Sequence, residues 1–160
     1  VSGFDGPGVL AVYSALTSHA KSLNIFQDVN RHESDNPPAG GAYCSFLLGD
    51  GEAIRASGMT ATSIRQEFTA RIYVLRQQRP LEAIDPAILT STMLLVAAYS
   101  ADFTLASVPA GLVRNVDLLG ATGQGLSWRP GYLEQDGSTY RVMDVLVPLI
   151  LNDAFAQVAT

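Results

Sequence analysis

Charge is scarce in this 160-residue chain: Asp, Glu, Lys and Arg make up 16% of it, against 48% apolar residues. That balance excludes an intrinsically disordered chain, which needs low hydrophobicity and high charge. Lysine is almost absent, with Lys21 alone beside nine arginines. Together with abundant alanine, this usage reads as the codon bias of a GC-rich genome. The 10 basic residues are outnumbered by 15 acidic ones, giving a net charge of −5. That is the wrong sign for a protein whose work is gripping nucleic acid by its phosphates. One cysteine, Cys44, excludes an intramolecular disulfide and a cysteine-rich zinc site. Two histidines, His19 and His32, argue against an all-histidine metal site. No run reaches the ~18–20 uninterrupted apolar residues of a membrane span. The N-terminal Val-Ser-Gly-Phe-Asp-Gly-Pro-Gly lacks a basic region ahead of an apolar block, so no signal peptide is read there.

What is present fits one domain over residues 1–160. A chain of this length buries roughly 68–70% of its unfolded surface, enough to fold without staples. Val9, Val12, Tyr13, Leu16, Ala20 and Leu23 recur every three or four residues, which predicts a helix over 9–23. Residues 27–41, with their prolines, glycines and charges, read as an exposed loop. Ala42 to Leu48 reads as a short strand closed by Gly49-Asp50-Gly51, and 49–63 as a long mobile loop. The clearest strand spans 64–75, with Ile64, Gln66, Phe68, Ala70, Ile72 and Val74 alternating with Arg65, Glu67, Thr69, Arg71, Tyr73 and Leu75.

Asp85-Pro86 predicts the N-cap and first turn of a second helix running to about Tyr99 or Asp102. A connector over 104–111 leads to a strand at 112–119 and a glycine-rich turn at 120–125. Asp136-Gly137 between two strand-like runs, 126–135 and 138–150, predicts a tight hairpin. Pro148 places the end of the last strand at an edge or outside the ladder. The expected order is α-β-β-α-β-β-β: an α+β fold, mainly antiparallel sheet, with two principal helices packed on one face.

The search for chemistry is mostly negative. Gly120, Gly123 and Gly125 follow G-x-x-G-x-G, not the dinucleotide-binding spacing, and Pro130 stands where a helix would have to open. No G-x-S-x-G elbow surrounds any serine. Cys44, in an apolar strand, reads as a small buried hydrophobe. The carboxylates are dispersed and lack a calcium-loop ladder. No metal or cofactor is expected, and the chain does not read as an enzyme. The polar strand face is distinctive. Arg65, Glu67 and Arg71 alternate in sign and run to Tyr73, and arginine and tyrosine are favoured in interfaces. These four residues are the expected oligomer or tube interface, set against the plainer reading of a solvated sheet face.

The chain also resembles a known family. Ala83-Ile84-Asp85-Pro86, Ala97-Ala98-Tyr99-Ser100 and Asp102-Phe103-Thr104-Leu105 match the sequence habits of siphophage tail terminator proteins of actinobacterial phages. So do Leu112 to Gly120, Gly131-Tyr132-Leu133, Tyr140-Arg141-Val142-Met143 and Val147 to Asp153. The likeness is strongest from about Ile84 to Phe155. The resemblance implies a hexameric ring on the head-proximal end of the tail tube that stops tube growth. Its implied partners are the tail tube protein and the head-completion (stopper) protein, with DNA passing through the lumen unbound and no membrane involved. It implies a place at the tail-neck junction of the virion and carries no catalytic residues. A head-tail stopper or adaptor is the neighbouring alternative. A small hydrolase or ligand-binding domain is the alternative from another class, and a deep pocket with His32 and two carboxylates would favour it.

Overall fold

A computed structural model describes residues 6–31, 41–54, 61–75, 81–102, 104–105, 113–135 and 137–156. It is an α+β fold: α1 (Gly6–Ser22), β1 (Asp28–Asn30), β2 (Ala42–Ile54), β3 (Ala61–Leu75), α2 (Ile84–Ala101), β4 (Val113–Val116), β5 (Ser127–Gln135) and β6 (Ser138–Ala156). All six strands join one sheet in the order β1-β2-β3-β6-β4, with β5 also on β6. Every pairing is antiparallel except β1 with β2.

Alternation along β3 and β6 sends Phe68, Ala70, Ile72, Val74, Met143, Val145, Val147 and Leu149 to one face. Val12, Leu16 and Ala20 of α1 and Ile84, Ile88, Leu95 and Tyr99 of α2 pack there, so both helices cover the same side. Residues 81–101 have the length and composition of a membrane span. Their inward stripe, Ile84, Ile88, Thr92, Leu95 and Tyr99, is committed to the sheet. The opposite face carries a smaller cluster of Tyr43, Tyr73, Tyr140 and Val142.

Three sequence expectations need correcting. Residues 27–41 are not all loop, because Asp28–Asn30 forms β1; residues 32–40, His32 among them, lie outside the described residues. Gly49-Asp50-Gly51 does not close β2. Leu48 pairs with Phe68 and Gly51 with Gln66, so β2 spends three steps where β3 spends two, the signature of a β-bulge. The strand then continues to Ile54 opposite Ser63. A Cβ at Gly51 would stand 2.6 Å from Gln66 Oε1, so a larger residue there would displace that side chain. The Gln66 amide occupies that space and donates to the carbonyls of Gly49 (3.0 Å) and Asp50 (3.3 Å).

Pro148, thirdly, lies inside β6, which is central and not at an edge. β3 runs along one side of β6, while β5 and β4 share the other: β5 pairing ends at Leu146 and β4 pairing begins at Leu149. Pro148 falls in that gap. Its carbonyl accepts from the Asp117 amide at 2.8 Å, so its nitrogen points into the gap too and removes no bond from the β3 ladder.

Two smaller expectations resolve differently from each other. Asp85 is not the N-cap of α2, which is Ala83 without a side-chain cap. The hairpin read at 136–137 closes, with Gln135 opposite Ser138 and Gly137 at φ 75°, while Asp136 lies outside the described residues.

Candidate assembly interface

The four strand residues marked by alternation do share one face of β3, but the structure treats them unequally. Arg65 is only 2% exposed. Its Nη1 meets Asp117 Oδ2 at 2.9 Å and Thr122 Oγ1 at 3.2 Å, its Nη2 meets Glu67 Oε1 at 2.9 Å, and it also donates to the Gln124 carbonyl. The glycine-rich turn is the lid over this guanidinium. Gly120 takes φ 81°, and a Cβ at Gly123 would lie 2.9 Å from Arg65 Cζ. The turn reading of 120–125 therefore has a concrete cause: backbone must approach a buried arginine.

Asp117 anchors the same turn. Its carboxylate accepts from the amides of Gly120 (3.1 Å), Ala121 (2.8 Å) and Thr122 (3.1 Å), and from the Thr122 hydroxyl at 2.8 Å. Burial pushes its acidity toward the neutral form. The Thr122 and Ala121 amides, the Thr122 hydroxyl and the Arg65 guanidinium outweigh that and hold it below the usual carboxylate range.

Tyr73 is covered too, at 3% exposed, stacked on Tyr43 and meeting Tyr140 edge-on, with its hydroxyl 3.2 Å from Ser45 Oγ. Arg71 is part-exposed and paired with Asp144, Nε to Oδ1 at 2.8 Å. Glu67 is also part-exposed. Of the four residues expected at an oligomer or tube interface, Arg65 and Tyr73 are thus buried within the chain, while Glu67 and Arg71 keep part of their side chains at the surface.

The face also holds a hollow of about 190 Å³ between Ser45, Arg71, Tyr73, Leu133, Glu134 and Gln135. It is smaller than usual small-molecule sites, and among the described residues it contains one carboxylate and no histidine. Cys44 is fully buried, and desolvation pushes its thiol far up, as expected of a structural cysteine. Among the described residues no three His, Cys, Asp or Glu gather as metal ligands. His19 stacks on Tyr99 with centroids 5.1 Å apart. Burial lowers its basicity, partly opposed by Asp102.

The surface that sequence reasoning missed lies on the helix side. Arg141 links α2 to β5: Nε meets Asp85 Oδ1 at 3.0 Å, Nη1 donates to the Gly131 carbonyl at 3.1 Å, and Cζ sits 4.5 Å over the Tyr132 ring. One and two turns beyond Asp85, Leu89 and Met93 are 51% and 38% exposed, beside Leu94 at 48%. On β5, Trp128 is 43% and Tyr132 65% exposed. The sequence signal was there, since α2 is apolar nearly all round while one helix can bury only one stripe against a sheet.

The class defined by this geometry is an α+β sheet domain that ion-pairs its strand-face arginines internally and leaves apolar and aromatic side chains outward. No family model matches the chain, and no curated protein matches it. Among solved structures it is similar to a chain of one described as "Virion of native gene transfer agent (GTA) particle". Identity is 16% and the TM-score 0.39, over 92% of this chain and 100% of that one, a likeness too loose to carry an argument.

Proposed function

We propose that the chain is a structural subunit of a phage-like virion, and within it the tail terminator: a ring that caps the head-proximal end of the tail tube. The observation that carries this reading is the ordered set of family-like segments from Ile84 to Phe155. They lie in the part of the chain that forms α2, β4, β5 and β6. Support comes from the outward Leu89, Met93, Leu94, Trp128 and Tyr132, residue types suited to contacts between subunits. The work is then shape and interface complementarity, without a catalytic step. The ring is a hexamer, its neighbours the tube protein on one side and the head-completion protein on the other. DNA crosses the lumen, where a net charge of −5 disfavours sticking.

Electron microscopy of particles assembled without this gene tests the role. Filled heads beside tails of uncontrolled length are the expected outcome. Tails of normal length beside leaking heads would move the protein to the stopper or adaptor position, and ordinary infectious particles would end the virion reading.

A further inference from the structure

A groove of about 340 Å³ lies between α1 and β1, lined by Ser14, Thr17, Ser18, Lys21, Asn30 and Arg31. Arg31 is held at its mouth, with Nη1 donating to Ser14 Oγ at 2.9 Å and its carbonyl accepting from Tyr13 Oη at 2.7 Å. Among the described residues no carboxylate lines the groove and none pairs with Lys21 or Arg31. Two cations beside three hydroxyls and an amide, in a chain that is acidic overall, make a receptor for an anionic partner.

The chain itself carries the matching surface. Beyond the β2 bulge, Asp50 and Glu52 are exposed on an arm of the β2–β3 hairpin. They stand away from their own groove: Asn30 pairs with Ser45, and Asp50 and Glu52 stand five and seven positions further along β2, about 17 and 23 Å away at the rise of an extended strand. Resting on the ring reading above, we infer that the β2–β3 arm of one subunit docks its Asp50 and Glu52 into the Lys21–Arg31 groove of the next copy. Groove and arm are different patches, so the contact is heterologous and propagates head to tail until it closes.

The single lysine makes the test specific. A mixture of ¹⁴N- and ¹⁵N-labelled protein is treated with a carbodiimide, which joins an amine to a carboxylate without a spacer. The expected product is a mixed-isotope peptide pair linking Lys21 to Asp50 or Glu52. In parallel, sedimentation compares wild type with Lys21→Glu plus Arg31→Glu and with Asp50→Arg plus Glu52→Arg. All four positions are exposed, and thermal melting of each variant separates association from folding, since Glu52 stands opposite Arg65 in the ladder. Each pair alone puts like charges across the contact and lowers the association constant at least ~tenfold. Mixed one to one, the two variants complement each other and assemble into an alternating ring. If wild type assembles but the cross-link is absent, or both variants assemble as wild type does, the contact is overturned and the ring stands. A wild type that stays monomeric at all concentrations overturns the ring and the contact with it.

Discussion

Arg65 shows how much one residue's meaning depends on what folds over it. Alternation along 64–75 places it correctly on the polar face, and a polar face reads as solvent or partner. The turn that covers it comes from residues 117–126, more than fifty positions away, and no local pattern in β3 announces it. Charge reversal at Arg65 therefore acts on the fold, not on an interface, because it strands Asp117 and Glu67 beside a third carboxylate. Asp117→Asn is the cleaner probe. It keeps one acceptor for the turn amides but removes the charge facing Arg65; Glu67 still pairs with Arg65, so the loss should stay below the about 3–5 kcal/mol of a buried charge left unpaired. Asp117 binds its proton less readily folded than unfolded. Its stabilisation is therefore complete above the unfolded value of about 4 and fades as pH falls through and below it. Denaturant melts of wild type and Asp117→Asn should differ most near neutrality and converge in acid. A constant difference from pH 7 to pH 2 would show that the pair is not the source.

At the scale of elements, the helices and the long strands were legible because their periodicities are local. The failures were junctions. Gly49-Asp50-Gly51 has turn chemistry in either context, and only pairing with β3 decides that it bulges and continues. Pro148 reads as an edge residue, and locally it is one, since the break between β5 and β4 makes an edge within a central strand. β1 is three residues long and exists through its pairing with β2, which periodicity cannot register. The bulge makes a testable claim about the arm beyond it. Gln66 Nε2 ties the Gly49, Asp50 and Glu67 carbonyls, so Gln66→Ala should loosen the arm while the core stays intact. Hydrogen exchange should quicken at 50–54 and 63–66 with a change in global stability of no more than about 1 kcal/mol. Exchange that quickens equally in β6 would mean that the bulge supports the whole sheet.

For the whole molecule, the charged part of the surface was legible in the sequence and the exposed apolar part was not. Alternation over 64–75 reached the part-exposed Glu67 and Arg71 but passed over α2, whose apolar run reads as a buried helix. Burial on a sheet accounts for Ile84, Ile88, Thr92, Leu95 and Tyr99. It leaves Leu89, Met93 and Leu94 outward, with Trp128 and Tyr132 on the strand that Arg141 ties to the same helix. Side chains about half exposed contribute less to the isolated subunit than the inward stripe does, so replacing them tests assembly largely apart from folding. Leu89→Glu with Met93→Glu, both on α2, should cost the monomer no more than about 1 kcal/mol. Glutamate is a good helix former, and the cost to α2 is the i, i+4 spacing of the new carboxylates from Asp85 and from each other. The same pair should abolish ring formation in sedimentation and give tails of uncontrolled length when supplied in place of wild type. If assembly proceeds normally while folding is unaffected, the helix face lies outside the ring contacts, and the groove and arm must hold the subunits together alone.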